Sequence, residues 1–310
     1  MSTLAFKSQY HGHRRADPWR RRRAMPVAFW RLLLLLAPLA ARAGPPAETS
    51  PSDVAGAAPS RGCLADWFAG VSRTQAEQPH WITPLVTVTP RLEEELRYDQ
   101  VWQSNPGARA MTSYGGGKGL ELIPAERIET IIGLPAWQTW NRPAGTDGWS
   151  DESFLVKYRL CAANEEKGNY IVSLFLGLTL PTGSDHNTAN HVLMTPTLAA
   201  GKGWGNFDVQ GTLSVGLPDN GASPKGLGTP LLSNTTFQYR ILKVCWPEFE
   251  INYAYWPNGA RVGFSQVFLT PGLVIGRLAL WRRLGLTFGV GYQVAVTARP
   301  LYNHSVILSA

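Results

Sequence analysis

Leu284-Gly-Leu-Thr-Phe-Gly-Val-Gly-Tyr-Gln-Val-Ala-Val296 is the stretch that decides the fold. Its even positions, Leu284, Leu286, Phe288, Val290, Tyr292, Val294 and Val296, are apolar or aromatic; its odd positions, Gly285, Thr287, Gly289, Gly291, Gln293 and Ala295, are small or polar. A period of two is a strand with one greasy face. Strands of soluble sandwiches run about 5 to 6 residues. This one is about twice as long, which suits a tilted strand crossing a bilayer and needing about 9 to 11. The pattern predicts that the greasy row meets lipid and that the Gly/Thr/Gln row lines a lumen.

Working outward, the same alternation recurs from Arg91 to the end of the chain. It predicts strands at about 91–102, 114–123, 126–134, 152–162, 169–180, 190–200, 206–217, 231–244, 248–256, 264–277, 283–297 and 302–310. Tight connections, such as Pro124-Ala125, Gly201 to Gly205 and Cys245 to Pro247, alternate with longer ones rich in Gly, Pro, Asn and Asp, such as 103–113, 135–151, 181–189 and 218–230. Such sorting is expected of an outer-membrane barrel with short periplasmic turns and longer outer loops. The expected fold is therefore all-β: a closed, antiparallel, up-and-down transmembrane β-barrel of about twelve strands over residues 81–310. Trp204, Trp246 and Trp281 near short turns, and Trp102, Trp137, Trp140, Trp149 and Trp256 near the other ends, read as two interfacial aromatic belts. Trp81 to Thr89 holds Pro84 and ends at Pro90, so it reads as an edge strand or a lead-in segment.

The formal charge of +7 would by itself invite a nucleic-acid reading. Its location excludes one. Residues 1–43 hold nine bases against Asp17, a net +8, which leaves about −1 for the rest. That basic run precedes the apolar Leu32 to Ala40 and the small-x-small pattern Ala41-Arg42-Ala43, so residues 1–43 read as a signal peptide cleaved between Ala43 and Gly44, with Met25 as an alternative start. A membrane-anchoring helix would need twice the apolar length. Residues 44–80 read as a flexible leader in which Cys63 to Gly70 is a short apolar patch that could tuck against the barrel mouth. The expected location is the bacterial outer membrane, and the expected partners are outer-membrane lipid, the barrel assembly machinery and an unidentified small solute.

Parity places charged side chains on the lumen face, where lipid does not exact its cost of about 2 to 4 kcal/mol for a buried Arg or Lys. The candidates for a lumen constriction are Glu93, Glu95, Arg97 and Asp99 on the first strand, Glu121, Arg127 and Glu129 on the next two, Lys157 and Arg159 on the fourth, and Asp208, Arg240 and Glu250 further round. They read either as an ion-pair ladder filling a narrow barrel or as an electrostatic filter. Catalysis finds no constellation: His304 and Ser305 are strand neighbours and point to opposite faces. Asp185, His186 and His191 share one loop, but no second motif completes a metal site. No cofactor is expected. Cys63, Cys161 and Cys245 are too scattered for a disulfide framework.

Three motifs carry a resemblance. Gly177-Leu-Thr-Leu-Pro-Thr-Gly183, Gly203-Trp-Gly-Asn-Phe-Asp-Val-Gln210 running into Leu217-Pro218, and Thr87-Val-Thr-Pro-Arg-Leu-Glu-Glu-Glu-Leu-Arg-Tyr98 resemble the barrels of the MetA-pathway of phenol degradation family over most of residues 80–310. The resemblance implies a monomeric, non-enzymatic outer-membrane channel for small hydrophobic or aromatic compounds. The chain departs from that family in ending on Ser309-Ala310 without a terminal aromatic. The alternative is a plugged structural or adhesive barrel that acts through its outer loops.

Overall fold

The computed structural model describes residues 63–105, 109–141, 147–220, 226–281 and 283–310. The signal peptide and its cleavage point at Ala43 and Gly44 lie outside the described residues. Within the stretch read as a flexible leader, Cys63–Ala76 instead forms an α-helix, α1, with Asp66 in its first turn and Arg73 in its last. Those charges suit the positive N-terminal and negative C-terminal ends of the helix dipole.

From Glu95 onward the regular structure is almost entirely antiparallel sheet, in seventeen segments where about twelve strands were expected, and the ladders do not close into a ring where a closed barrel was expected. They are β1 (Glu95–Arg97), β2 (Asp99–Asn105), β3 (Arg109–Tyr114), β4 (Gly119–Ala125), β5 (Ile128–Gly133), β6 (Trp137–Trp140), β7 (Gly148–Trp149), β8 (Glu152–Ala163) and β9 (Tyr170–Leu180). There follow β10 (Leu193–Trp204), β11 (Phe207–Val215), β12 (Leu217–Pro218), β13 (Leu231–Tyr239), β14 (Cys245–Tyr255), β15 (Ser265–Trp281), β16 (Leu284–Ala295) and β17 (His304–Ser309). The excess arises near the start, where long runs are broken. Between β3 and β4, Gly115, Gly116 and Gly117, and then Gly119 at the first position of β4, all have positive φ, a left-handed path open to glycine at little cost. There the chain changes partner, β3 pairing with β2 and β6 while β4 pairs with β1 and β5. The tripeptide gap Leu134 to Ala136 divides β5 from β6 in the same way.

Elsewhere the ladders are long, interrupted only by shifts between Arg159 and Cys161 in β8 and between Ile275 and Leu278 and Ala279 and Trp281 in β15. Strands β8 through β17 pair in chain order, β12 joining β11 along β10, and β17 then pairs with β2 in the register Val306↔Trp102. The deciding stretch forms β16, between β15 and β17.

Faces follow parity, with the polarity of a soluble protein reversed. Leu198, Leu213, Phe249, Tyr253, Phe288, Val290 and Tyr292 are exposed, whereas Glu121, Glu129, Lys157, Gln210, Thr236 and Glu250 are fully buried. The apolar clusters inside are small. Each contains a residue from the stretch before the first strand: Ile82 and Leu85 with Trp246 and Val274, Val88 beside Ile131, Leu155, Phe175 and Ala199, and Leu92 with Val71 and Ile123. The aromatic belts need correction. Trp102, Trp137, Trp149 and Trp204 are exposed as expected, but Trp246 and Trp256 are buried, because their parity turns them inward, Trp246 against Ile82 and Leu85 and Trp256 against Arg261 of the 257–263 loop.

Candidate functional site: a segment held inside the sheet

Residues Gln78 to Glu93 have no regular secondary structure, yet most of them are buried. Their backbone groups therefore need partners other than a ladder. The surrounding strands supply them. Glu250 on β14 accepts the N–H groups of Val86 and Thr87, both at 2.7 Å, as well as the Thr236 hydroxyl at 3.0 Å. Glu248 accepts the N–H of Leu85 at 3.1 Å.

Cations take the carbonyls. Arg97 donates to the Pro84 and Leu85 carbonyls at 2.9 and 2.6 Å, and Lys118 to those of Pro84 and Thr87 at 3.0 and 3.2 Å. The turn at 84–87 is thus held by carboxylates on its N–H side and by cations on its carbonyl side. Further round, Gln210 donates to the Ile82 carbonyl, Ser173 to that of Pro90 and Lys157 to that of Arg91. Arg277 donates to the carbonyls of His80 and Trp81, and Arg91 also reaches Trp81. Arg277 sits at a register shift in β15 with φ of 58°, a bulge that re-aims its side chain. Gln78 bonds both backbone groups of Leu92, tying the two ends of the segment together.

Shape agrees with the hydrogen bonding. A Cβ on Gly289 would lie 2.4 Å from Leu85 Cδ2, and one on Gly291 or Gly272 2.8 or 2.6 Å from Leu85 Cδ1. On the far wall, a Cβ on Gly201 would meet the Trp81 ring at 2.5 Å. The small inner row of the deciding stretch is the seat of Leu85.

The charged candidates separate accordingly. Arg97 and Asp99 pair at 2.8 Å, and Lys157 lies 2.7 Å from Glu129 and 3.7 Å from Glu121, all buried. Glu95 is half-buried on β1. Glu93 is buried but precedes the strands, pairing with Arg91 at 2.6 Å within the segment itself. Asp208 accepts from Gln210 at 3.1 Å. Arg159 lies at the short-turn end, bonding Glu77 at 2.9 Å and the Thr74 and Glu126 carbonyls, so it fastens the C-terminal end of α1.

Arg127 and Arg240 do not lie on the inner face of a strand: Arg127 is exposed in the turn between β4 and β5, and Arg240 lies past the end of β13, bonding Asn206 at 3.2 Å, so the parity that would turn them inward stops short of both. Lys118 and Arg277 escape a reading by alternation because they lie where it breaks, at a glycine bend and a bulge, whereas Glu248 shares the inner face of β14 with Glu250, four residues into a strand that begins at Cys245 rather than at 248.

The remaining motifs have local roles. His191 pairs with Asp219 at 2.7 Å, while Asp185–Asn187 form a 3-10 turn. His304 lies against Tyr292 and Ser305 bonds Gln293, on opposite faces of β17. Cys161 and Cys245 are free thiols.

At the short-turn mouth, Glu165 accepts the His80 N–H at 2.7 Å and lies 2.8 Å from its ring Nδ1. Partial burial opposes ionisation of Glu165, but the bonds from the His80 ring and backbone outweigh it and hold this carboxyl below its ordinary value.

No family model matches the chain, and no curated protein matches it. Among solved structures it is similar to an outer membrane channel from Pseudomonas putida F1, at 15% identity over 69% of this chain and 91% of the other, with a TM-score of 0.47. It is also similar to OmpF of Salmonella typhi, at 8% identity over 69% and 94% with a TM-score of 0.33, and to the outer membrane channel DcaP of Acinetobacter baumannii, at 7% identity over 69% and 94% with a TM-score of 0.31.

Proposed function

We propose that this chain is an exported outer-membrane β-barrel channel for small solutes, with residues 78–93 as a plug inside its lumen. The observation that carries this reading is the reversed polarity of the sheet. Rows of exposed Leu, Phe, Tyr and Val on the strands would be an aggregation hazard in water, and ionised groups of the kind buried here need a polar interior. In this reading the seventeen segments are staves of one barrel, β1 with β2, β3 with β4, β5 with β6, β7 with β8 and β11 with β12 each making one. The pairing of β17 with β2 brings the last stave to the first. The charged lumen residues act by holding the plug, and the short turns face the periplasm. The hydrophobic or aromatic class of solute comes from the family resemblance alone.

Recovery of the full chain in the outer-membrane fraction with heat-modifiable gel mobility, together with single-channel conductance in a planar bilayer, tests the proposal. Recovery in the soluble periplasm would overturn it. The density of bonds on the plug favours a second reading, a permanently plugged barrel working through its outer loops. A silent bilayer, with partner binding lost on shortening the 135–151 loop, would select that one.

A further inference from the structure

The long-loop rim is divided by charge. On the side of β14 to β17, β2 and β3, the connections 256–264, 296–303 and 106–108 and the first residue of β3 hold Arg109, Arg261 and Arg299 and no Asp or Glu. The long connections on the other side hold Asp147, Asp151, Asp185 and Asp219 with Arg142 and Lys225. Arg261 is built into the basic half. The β14–β15 pairing runs one step past the strands, the Trp256 N–H donating to the Phe264 carbonyl at 3.0 Å, so both rings extend the inner face that carries Asn252 and Gln266. The Arg261 guanidinium lies over them, 4.8 Å from the Trp256 ring centroid and 5.7 Å from that of Phe264, and the Arg299 guanidinium is 5.3 Å from the same Phe264 ring. The loops that carry them are fastened. Arg261 Nη2 donates to the Arg299 carbonyl, the Thr229 N–H to Asn258 Oδ1 and the Leu301 N–H to Gln266 Oε1, each at 2.7 Å.

No carboxylate answers these two charges. Arg91, Arg97 and Arg159 each pair with an acid, whereas neither Arg261 nor Arg299 has an ion pair among the described residues. Asp219, the one acid of the adjoining 218–230 loop, pairs instead with His191 at 2.7 Å. Arg261 Nε is buried without an acceptor. Burial draws the Arg261 pKa below its ordinary value, with no opposing pull from a carboxylate.

A guanidinium laid on aromatic rings gives up water from its face, and an unscreened charge attracts an approaching anion more strongly. Its edge stays open, and that planar fork matches the paired oxygens of a carboxylate or a phosphate. Arg261 Nη1 and the exposed Arg299 supply such edges at the inner side of the rim. We infer that this half of the outer mouth is a capture site for the oxyanion group of an anionic solute, held by Arg261 and Arg299. The inference rests on the channel reading and names a solute class for it. Carboxylate and phosphate share the chemistry that the site recognises.

Isothermal titration calorimetry on the full-length, detergent-solubilised protein at low salt tests it without requiring permeation, using benzoate, inorganic phosphate, benzyl alcohol and benzylamine. At least one anion should bind saturably, about tenfold or more tighter than benzyl alcohol or benzylamine, and weaken as salt is added. Which anion binds tells carboxylate from phosphate. Arg261→Gln and Arg299→Gln should each weaken it about tenfold with heat-modifiable mobility retained. Arg299 touches Arg261 through its backbone carbonyl, so its variant keeps that bond. Arg283→Gln, which removes an equal charge beside Ser72 at the short-turn end, should leave it unchanged. Failure of both anions to bind, equal binding of benzoate and benzyl alcohol, or equal losses in all three variants overturns the inference. A barrel that conducts but binds neither anion sinks this inference alone; one that binds an anion but never conducts sinks the channel reading alone.

Discussion

Replacing Leu85 tests the plug where it meets the strand that decides the fold. Leu85 is nearly buried against Ile82, Trp246 and Val274, over a floor made by Gly272, Gly289 and Gly291. When the plug leaves, Leu85 goes into water and the floor into the lumen. Leu85→Ala removes the transfer energy of the lost methyl and methylene groups and leaves a cavity, together about 2 to 5 kcal/mol. At about 1.4 kcal/mol per tenfold, the ratio of docked to undocked plug falls by about 30-fold to a few thousandfold. Gly289→Ala attacks the same contact from the other side. Its Cβ would arrive 2.4 Å from Leu85 Cδ2, and overpacking of this kind costs about 1 to 3 kcal/mol. In the double variant the new methyl has room, so the two losses should be subadditive by about 1 kcal/mol or more. Single-channel recordings in a planar bilayer measure the occupancy of the high-conductance state for all four proteins. Both single variants should raise it, and the double variant should raise it less than their product. Unchanged occupancy in Leu85→Ala, or strict additivity, would refute the seating of Leu85 on the glycine floor.

Two other expectations concern charges. Lys157→Met leaves Glu121 and Glu129 buried without their cation and should cost about 3 to 5 kcal/mol, read as a lower temperature of heat-modified migration. Adding Glu129→Gln should recover part of it. The His80–Glu165 contact should weaken in acid: the carboxyl is held below its ordinary value of about 4.3, so its contribution is fully present above that pH and disappears as pH falls through the depressed value. Hydrogen exchange at the His80 amide should rise over that window in the unaltered protein and be insensitive to pH-driven release in Glu165→Gln; equal acid dependence in both would contradict the assignment.

Alternation along Leu284 to Val296 and the other long runs located the later strands to within a few residues, because side-chain period in a strand is a local property. It also turned Glu121, Glu129, Lys157 and Glu250 to one face. Parity failed where local geometry breaks, at the turn residues Arg127 and Arg240, at the glycine bend carrying Lys118 and at the bulge carrying Arg277. The helix Cys63–Ala76 was foreshadowed only as an apolar patch, since its anchors, Arg159 and Glu94, are distant in sequence.

What the sequence by itself determined is the wall: strand periods, the sorting of turns from loops, and which side chains share a face. What only the tertiary structure decided is the contents of that wall. A segment without its own periodicity, Gln78 to Glu93, is held by backbone bonds to carboxylates and cations drawn from many strands. Long-range pairings of that sort leave no trace in a local pattern. The same structure gives the glycines of the deciding stretch their role. In sequence they are a smooth inner face; in three dimensions they are the absence of side chain into which Leu85 fits.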